Sequence, residues 1–241
     1  MNLKVALVAG LFLIFCGAAA SPVYSQNKTI LQLADEYSRT LGNFQARKSR
    51  MSIESLMRKG KAVAERLDEL ESLSEAEYAL LEKKMKGFVV NREEVLVIEP
   101  DLEFFARLSG TRGTRADTAF FTVMREIKPD NVFRAYIEMQ TDVTGCTNYG
   151  DGVLTSLYGK ALQFKRAYPN AYAGEIDEEI NEIPEEFITD DICACGEREK
   201  VFREFRLFIR TFPKDKNTPE IKKNLATLQK RKDAGFNCRS G

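Results

Sequence analysis

The sequence predicts a mainly α-helical protein, in which a helical hairpin or bundle precedes stacked helical hairpins of the α-solenoid type, with one small β-hairpin at residues 88–98. Apolar residues recur at spacings of three and four along most of the chain, which is the pattern of amphipathic helices. Two similar segments, "KALQFKRAYP" and "EFRLFIRTFP", each end with an aromatic residue and a proline, at Pro169 and Pro213. Such a recurrence is typical of helical hairpins that stack on one another.

The N-terminal segment has the three-part layout of a secretory signal peptide. A positive charge at Lys4 precedes an apolar run over residues 5–16, and small residues follow this run. We expect a signal peptide of residues 1–20, or of residues 1–25 if a second cleavage site is used. The apolar run is shorter than the roughly 20 residues that a spanning helix needs, so the sequence predicts no membrane span.

Cys16 leaves a lipid anchor open as an alternative. Bacterial lipoproteins are cleaved just before a cysteine, which is then acylated. The residue before that cysteine is normally small, whereas Phe15 precedes Cys16. The sequence therefore favours an exported protein without a lipid anchor, in the periplasm or outside the cell.

The charge balance and the absence of one residue type exclude several functions. The chain has 36 basic and 36 acidic residues, so it has no overall attraction for nucleic acid. It contains no histidine. Histidine-based general acids, serine–histidine and cysteine–histidine nucleophiles, and zinc sites with histidine ligands are therefore excluded. The sequence predicts no cofactor and no metal.

Four cysteines remain once the leader is removed: Cys146, Cys193, Cys195 and Cys238. In an oxidising compartment an even number of cysteines indicates disulfides. A bond between Cys193 and Cys195 would close a very small, strained ring. We therefore expect one of these two to bond Cys146 and the other to bond Cys238. Redox-active thiols and a zinc ion held by four thiolates stay open as alternatives.

Residues 27–87 are predicted to form an N-terminal helical hairpin or bundle. The first helix carries one apolar stripe over residues 30–44, and the second helix follows Ser52. The sequence "SEAE" at Ser74–Glu77 is a capping box, which begins the third helix. Gly87 is expected to end it.

Residues 88–241 are predicted to form a mostly helical core domain that is stapled by the disulfides. It opens with the β-hairpin, because "FVVNREEVLVI" contains two β-rich runs around a polar turn. Helices resume at Asp101. The basic, glycine-containing stretch "GTRGTR" then precedes another helix start, where backbone N–H groups can bind an anion, and a plain basic loop is the alternative. Its residues are Gly110, Arg112, Gly113 and Arg115.

An acidic helix is predicted between the two proline-ended segments. Residues 175–191 contain nine acidic residues, and the apolar residues among them keep helical spacing. The acids are therefore expected mostly on the outward face of a helix that is kinked or interrupted at Pro184. A negative surface for a basic partner is the functional alternative to a simply solvated face.

The stretch "VFREFRLFIRTFPKDKNTPEIKKNLATL" resembles one helical hairpin of the tetratricopeptide type found in exported bacterial scaffold proteins. The resemblance lies within residues 197–228. Pro219, after the cap residue Thr218, fits the first turn of its second helix. The stretch departs from the family because it lacks the small residues that let such hairpins stack closely. The resemblance implies a protein-binding scaffold without catalysis.

The loop "QTDVTGCTNYGDG" is the predicted place for a ligand site. If its cysteine bonds the Cys-x-Cys pair, its polar side chains lie near the stapled end of the chain. A purely structural loop is the alternative. The candidate ligand-binding residues are Asp142, Asn148, Tyr149 and Asp151.

The sequence thus predicts an exported, non-enzymatic helical protein that acts as a protein-interaction or envelope scaffold module, with another protein as its partner. The alternative is a secreted enzyme that uses carboxylates or the Cys-x-Cys thiols. An exposed thiolate or a pocket that gathers several acids favours the enzyme. A long groove or an exposed apolar stripe favours the interaction module.

Overall fold

The computed structural model describes residues 29–67, 73–91, 97–141, 144–189 and 192–231. Within these ranges the chain is mainly helical, with nine helices and two antiparallel strand pairs, so the predicted fold class is confirmed. The helices are α1 (Ile30–Gln45), α2 (Ile53–Leu67), α3 (Glu75–Lys84), α4 (Leu102–Arg112), α5 (Arg115–Ile127), α6 (Val153–Ala167), α7 (Ala173–Ile188), α8 (Arg198–Thr211) and α9 (Thr218–Lys230). The strands are β1 (Phe88–Asn91), β2 (Val97–Pro100), β3 (Ile137–Met139) and β4 (Gly145–Thr147).

The third helix begins at the capping box that the sequence predicts. The Ser74 backbone N–H donates to the Glu77 carboxylate at 2.9 Å, and the Ser74 side chain accepts from the Glu77 backbone N–H. The helix ends at Lys84, and Gly87 follows with a φ of 92°. This left-handed conformation favours glycine, because a Cβ atom would be strained there. Glycine therefore completes the turn into β1.

The two strand pairs differ in how far the sequence predicts them. The predicted β-hairpin is present as β1 and β2, with Phe88 opposite Pro100 and Val90 opposite Ile98. The pairing of β3 with β4 is not predicted, because each of these strands has three residues, too few for an alternating pattern. Strand β4 lies in the middle of the predicted ligand loop. Part of that loop is therefore extended structure.

An apolar core extends from α1 to α9, and aromatic rings fill much of it. Each ring contacts the next at centroid distances between 3.7 and 5.7 Å. Burying a large aromatic side chain stabilises a fold by about 2 to 3 kcal/mol. Helices that are distant in the sequence are therefore held in one core. In order, the rings are Tyr37, Phe88, Phe105, Phe121, Phe120 and Tyr172.

We expect Gly60→Ala to destabilise the protein, although alanine is the better helix former by roughly 1 kcal/mol. A Cβ atom at Gly60 in α2 would lie 2.1 Å from two ring carbons of Phe88. That ring packs edge-on against Tyr37 and Phe105, so moving it away would disturb both contacts. We expect a loss of about 1 to 3 kcal/mol in urea unfolding.

Gly42→Ala is the matched control for this prediction, because a Cβ atom at Gly42 in α1 meets no heavy atom within 4 Å. Alanine at this position should be neutral or stabilising. If both substitutions stabilise the protein, the packing of Phe88 against α2 is not as described.

Asp117 joins the starts of two helices. One of its carboxylate oxygens accepts from the Thr114 backbone N–H at 2.6 Å, in the capping box of α5. The other accepts from the Tyr172 hydroxyl at 2.6 Å, and Tyr172 is the residue that precedes α7. Burial, followed by the hydrogen bond to Asp117, raises the pKa of Tyr172, so the hydroxyl stays a donor. Thus α5 and α7 are connected through one carboxylate.

The last two helices form the predicted hairpin. Arg198, in the first turn of α8, donates to the Leu228 carbonyl near the end of α9 at 2.7 Å, so the two helices run antiparallel. Pro219 lies in the first turn of α9, as predicted. The Thr218 hydroxyl instead donates to the Phe212 carbonyl at 2.6 Å, and it therefore does not cap the helix. Helix α7 runs through Pro184 without interruption.

Several predictions fall on residues outside the described ranges. These are the signal peptide, Cys16, Asp142 and Cys238. The division into domains at residue 87 also stays a prediction. Across the part of the chain that the structure describes, no helix is both long enough and apolar enough to span a membrane.

Candidate functional site

Three of the predicted ligand residues, Asn148, Tyr149 and Asp151, lie in the part of the chain that the structure describes. Tyr149 is buried, and its hydroxyl donates to the Glu186 carbonyl at 2.5 Å. Asn148 is exposed and donates to the Glu138 carboxylate at 3.1 Å, while Asp151 is exposed. Burial, followed by the charge of Glu186, raises the pKa of Tyr149 well above its usual value. Tyr149 is therefore a neutral core residue, and the loop has a structural role at this point.

A disulfide joins Cys146 of β4 to Cys195, with their Cα atoms 5.0 Å apart. The backbone of Thr147 reinforces this connection: its N–H donates to the Cys193 carbonyl at 2.8 Å, and its carbonyl accepts from the Cys195 N–H at 3.1 Å. Cys193 is also disulfide-bonded. The sequence left open which cysteine of the pair bonds Cys146, and the structure assigns Cys195. Neither cysteine of the Cys-x-Cys pair is a free thiol.

Glu204 of α8 is fully buried and holds the start of α6. Its carboxylate accepts from the backbone N–H groups of Gly150, Gly152 and Thr155 at 3.1, 2.7 and 3.1 Å. It also accepts from the Thr155 hydroxyl at 2.8 Å. Gly152, which precedes α6, has no side chain to cap the helix. A carboxylate from a distant helix therefore provides the cap, where the helix dipole favours negative charge.

Four of the seven acids of α7 keep much of their side chains in solvent, as an outward face predicts: Glu178 and Glu185 are exposed, and the side chains of Asp177 and Glu182 are 44% and 45% exposed. Several acids are nevertheless bound to neighbouring elements. Glu179 is buried and accepts from Arg134 at 2.9 Å, with Lys128 at 3.5 Å. Glu182 is also paired with Arg134. A buried carboxylate requires such partners, because an unpaired charge is costly away from water. The other paired acids are Glu175 with Lys61, Asp177 with Lys165, and Glu186 with Thr147.

The basic stretch at the end of α4 does not form an anion cradle around Arg112. The Arg112 guanidinium donates to the carbonyls of Phe44 and Gln45 at the end of α1. It also lies over the Phe44 ring, 5.8 Å from its centroid. Gly110 is inside α4, and Arg115 is the first residue of α5. The guanidinium is therefore bound at the end of α1, and both arginines of the stretch belong to helices, with Gly113 and Thr114 as the connection between them.

A small cleft gathers charged residues from four elements. Glu99 comes from β2, Lys61 from α2, Glu175 from α7, and Lys128 follows α5. The cleft has a volume of about 30 Å³. This is room for about two water-sized groups. The remaining lining residues are Met57, Pro100, Leu102, Phe120, Met124 and Asn131.

Glu99 is the acid of this cleft that lacks a partner among the described residues. Burial raises the pKa of its carboxyl above the usual value, more than the charges of Lys128 and Lys61 lower it, and the charge of Glu178 raises it further. The two lysines form salt bridges with other acids: Lys61 with Glu175 at 3.2 Å and Lys128 with Glu179 at 3.5 Å. Glu99 is therefore a partly buried carboxylate with unused capacity to accept hydrogen bonds.

An open groove of about 490 Å³ lies beside the cleft, between α4 and α5. Leu102 and Asn131 line both the groove and the cleft, so the two are adjacent. Asn131 has a φ of 72°, and its side chain accepts from the Leu102 N–H at 2.9 Å. This hydrogen bond holds the two shared lining residues together. The other lining residues of the groove are Glu103, Thr122, Arg125, Glu126 and Pro129.

The groove and cleft combine apolar walls with charges that are mostly paired. In the groove, Arg125 contacts Glu103 at 3.0 Å and Lys160 contacts Glu126. No group of three or more potential metal ligands occurs among the residues whose positions are described. The arrangement is suited to hydrogen bonding and packing against another molecule, with the Glu99 carboxylate as its unpaired acceptor.

No protein-family model matches the chain, no characterised protein is detectably similar to it, and no solved structure matches it.

Proposed function

We propose that the protein is an exported helical interaction module that binds a partner protein along the α4–α5 groove. The observation that carries this proposal is that the open groove lies directly beside the Glu99 cleft, with Leu102 and Asn131 lining both. A groove with a side pocket accommodates an extended or helical segment whose side chain enters the pocket. The Cys146–Cys195 disulfide supports the exported location, because disulfides persist in oxidising compartments.

The alternative of an enzyme that uses the Cys-x-Cys thiols has less support. A thiol nucleophile must be free, whereas Cys193 and Cys195 are both disulfide-bonded. The buried carboxylates of Glu204 and Glu179 are hydrogen-bonded to helix ends and arginine, in roles that hold the fold. An interaction module, which includes an envelope scaffold, is therefore the proposal that fits these residues best.

Photo-crosslinking from the groove tests this function. A photoreactive phenylalanine analogue at Thr122, on the groove wall, should give a discrete adduct with a partner protein in cells that export the protein. Thr227 in α9 is the matched control, because it is also an exposed helical threonine whose hydroxyl donates to the carbonyl four residues earlier. Equal adduct formation at the two positions, or none at Thr122, would reject the groove as the interface.

A further inference from the structure

We propose that the Glu99 cleft binds the primary ammonium group of a lysine side chain on the partner polypeptide. This inference rests on the proposed function, since the lysine belongs to a segment that lies in the α4–α5 groove. Three features lead to it: the unpaired carboxylate, the net charge around it and the size of the cleft.

The unpaired carboxylate provides the binding energy. Glu99 is partly removed from water, yet no described residue donates a hydrogen bond to its side chain. A carboxylate in this state gains most from a charged donor, because hydrogen bonds between charged groups are stronger than neutral ones. A bound ammonium group would supply both the donor and the compensating charge.

The charges around the cleft favour a cation. Lys61 and Lys128 each contact a carboxylate other than Glu99. Glu178 of α7 lies close enough to Glu99 to raise its pKa further. The two lysines still act on Glu99 more strongly than Glu178 does. A cation is favoured because the carboxylates of Glu99, Glu175 and Glu178 outnumber the two lysines at the site.

The size of the cleft selects an ammonium group over a guanidinium group. A volume of about 30 Å³ admits a single nitrogen with its adjoining methylene, about two water-sized groups. The planar guanidinium group of arginine is larger and rigid. Met57, Phe120 and Met124 supply apolar atoms for the methylene stem, whose burial is favourable. This pocket borders the groove at Leu102 and Asn131, and the main chain of the partner segment would lie in that groove.

Methyl NMR of the whole protein tests the proposal with a defined probe. The probe is a five-residue capped peptide with a central lysine, and its control replaces that lysine by norleucine, which keeps the stem and lacks the ammonium group. Met57 and Met124 line the cleft, whereas Met85 and Met139 do not, so labelled methionine methyl groups report the location of binding. The lysine peptide should shift the Met57 and Met124 signals saturably, and the norleucine peptide should not.

Two glutamine variants test the role of the carboxylate. Glu99→Gln should weaken binding of the lysine peptide at least about tenfold, because it removes the charge but keeps the shape. Glu185→Gln, at an exposed acid of α7 outside the cleft and groove, makes the same change in net charge and should leave binding unchanged. The affinity of the unaltered protein should also fall as the pH is lowered through the raised pKa of Glu99, and Glu99→Gln should show a smaller fall.

The proposal is overturned if millimolar lysine peptide leaves Met57 and Met124 unshifted, if the norleucine peptide binds equally well, or if Glu99→Gln binds as tightly as the unaltered protein. These failures differ from failure of the proposed function. If Thr122 captures a partner and Glu99→Gln does not change the capture, the groove is an interface but the cleft does not receive a lysine. If the peptide binds and Thr122 captures nothing, the cleft binds lysine but the proposed interface is wrong.

Discussion

Glu204→Gln should lower the free energy of unfolding by about 3 kcal/mol. The substitution keeps the shape of the side chain but replaces one acceptor oxygen by a donor. Each carboxylate oxygen of Glu204 accepts two hydrogen bonds, from three backbone N–H groups and one hydroxyl in all. Whichever oxygen the amide NH₂ replaces, it would therefore face two donors. Buried donors that lose their acceptor cost about 1 to 3 kcal/mol each. Urea unfolding followed by circular dichroism measures the loss.

Glu199→Gln is the control, because Glu199 lies on the same helix with an exposed side chain and only a 3.8 Å contact to Arg206. This change should stay within about 0.5 kcal/mol. Amide hydrogen exchange adds a local test: Glu204→Gln should speed exchange at Gly152 and Thr155 more than in α9. Equal losses for the two variants would contradict a capping role for Glu204.

Removing the described disulfide with Cys146→Ala and Cys195→Ala together should cost about 4 kcal/mol. The bond links residues 49 positions apart, so its loss frees a long loop in the unfolded chain. Replacing both cysteines leaves no new thiol from this pair, and it avoids a general reductant that would also attack the bond of Cys193. The change is measured by urea unfolding at equal protein concentration.

The contradicting outcome is a loss below about 1 kcal/mol, which is the size of an ordinary substitution. A double-mutant cycle makes the test more specific. The disulfide holds β4, and Glu204 holds Gly150 to Thr155 directly after it. Because both restrain one segment, the effects of Glu204→Gln and of the cysteine replacements should not be additive. Additive losses would mean that the segment is held independently at its two ends.

The helices are predictable from the sequence because their signals are local. The capping box at Ser74 and Glu77 and the apolar stripes of α1 and α7 lie within a few residues of the structure that they produce. The spacing of the cysteines excludes a bond between Cys193 and Cys195. It does not show which of these two cysteines bonds Cys146, and the structure assigns Cys195. Strands as short as β3 and β4 give no periodic signal.

The buried carboxylates and the cleft depend on long-range packing, which the sequence does not display. Glu204 shares a helix face with the buried residues Val201, Phe205 and Phe208, and this is the one local sign that it points inward. Three of its four partners are backbone N–H groups, which every residue type except proline offers. The cleft requires four elements to meet at Glu99, and no spacing in the sequence indicates that meeting.

The shared carboxylate of Asp117 limits how this architecture can change. Modular helical arrays usually gain or lose a hairpin at the border between two units, where each unit keeps its own caps. Here the Thr114 N–H at the cap of α5 and the Tyr172 hydroxyl before α7 both donate to the carboxylate of Asp117, which lies 55 residues from Tyr172. A hairpin inserted between them would leave Tyr172 without its acceptor. Evolution or design could therefore add a helical hairpin more readily after α9 than between α5 and α7.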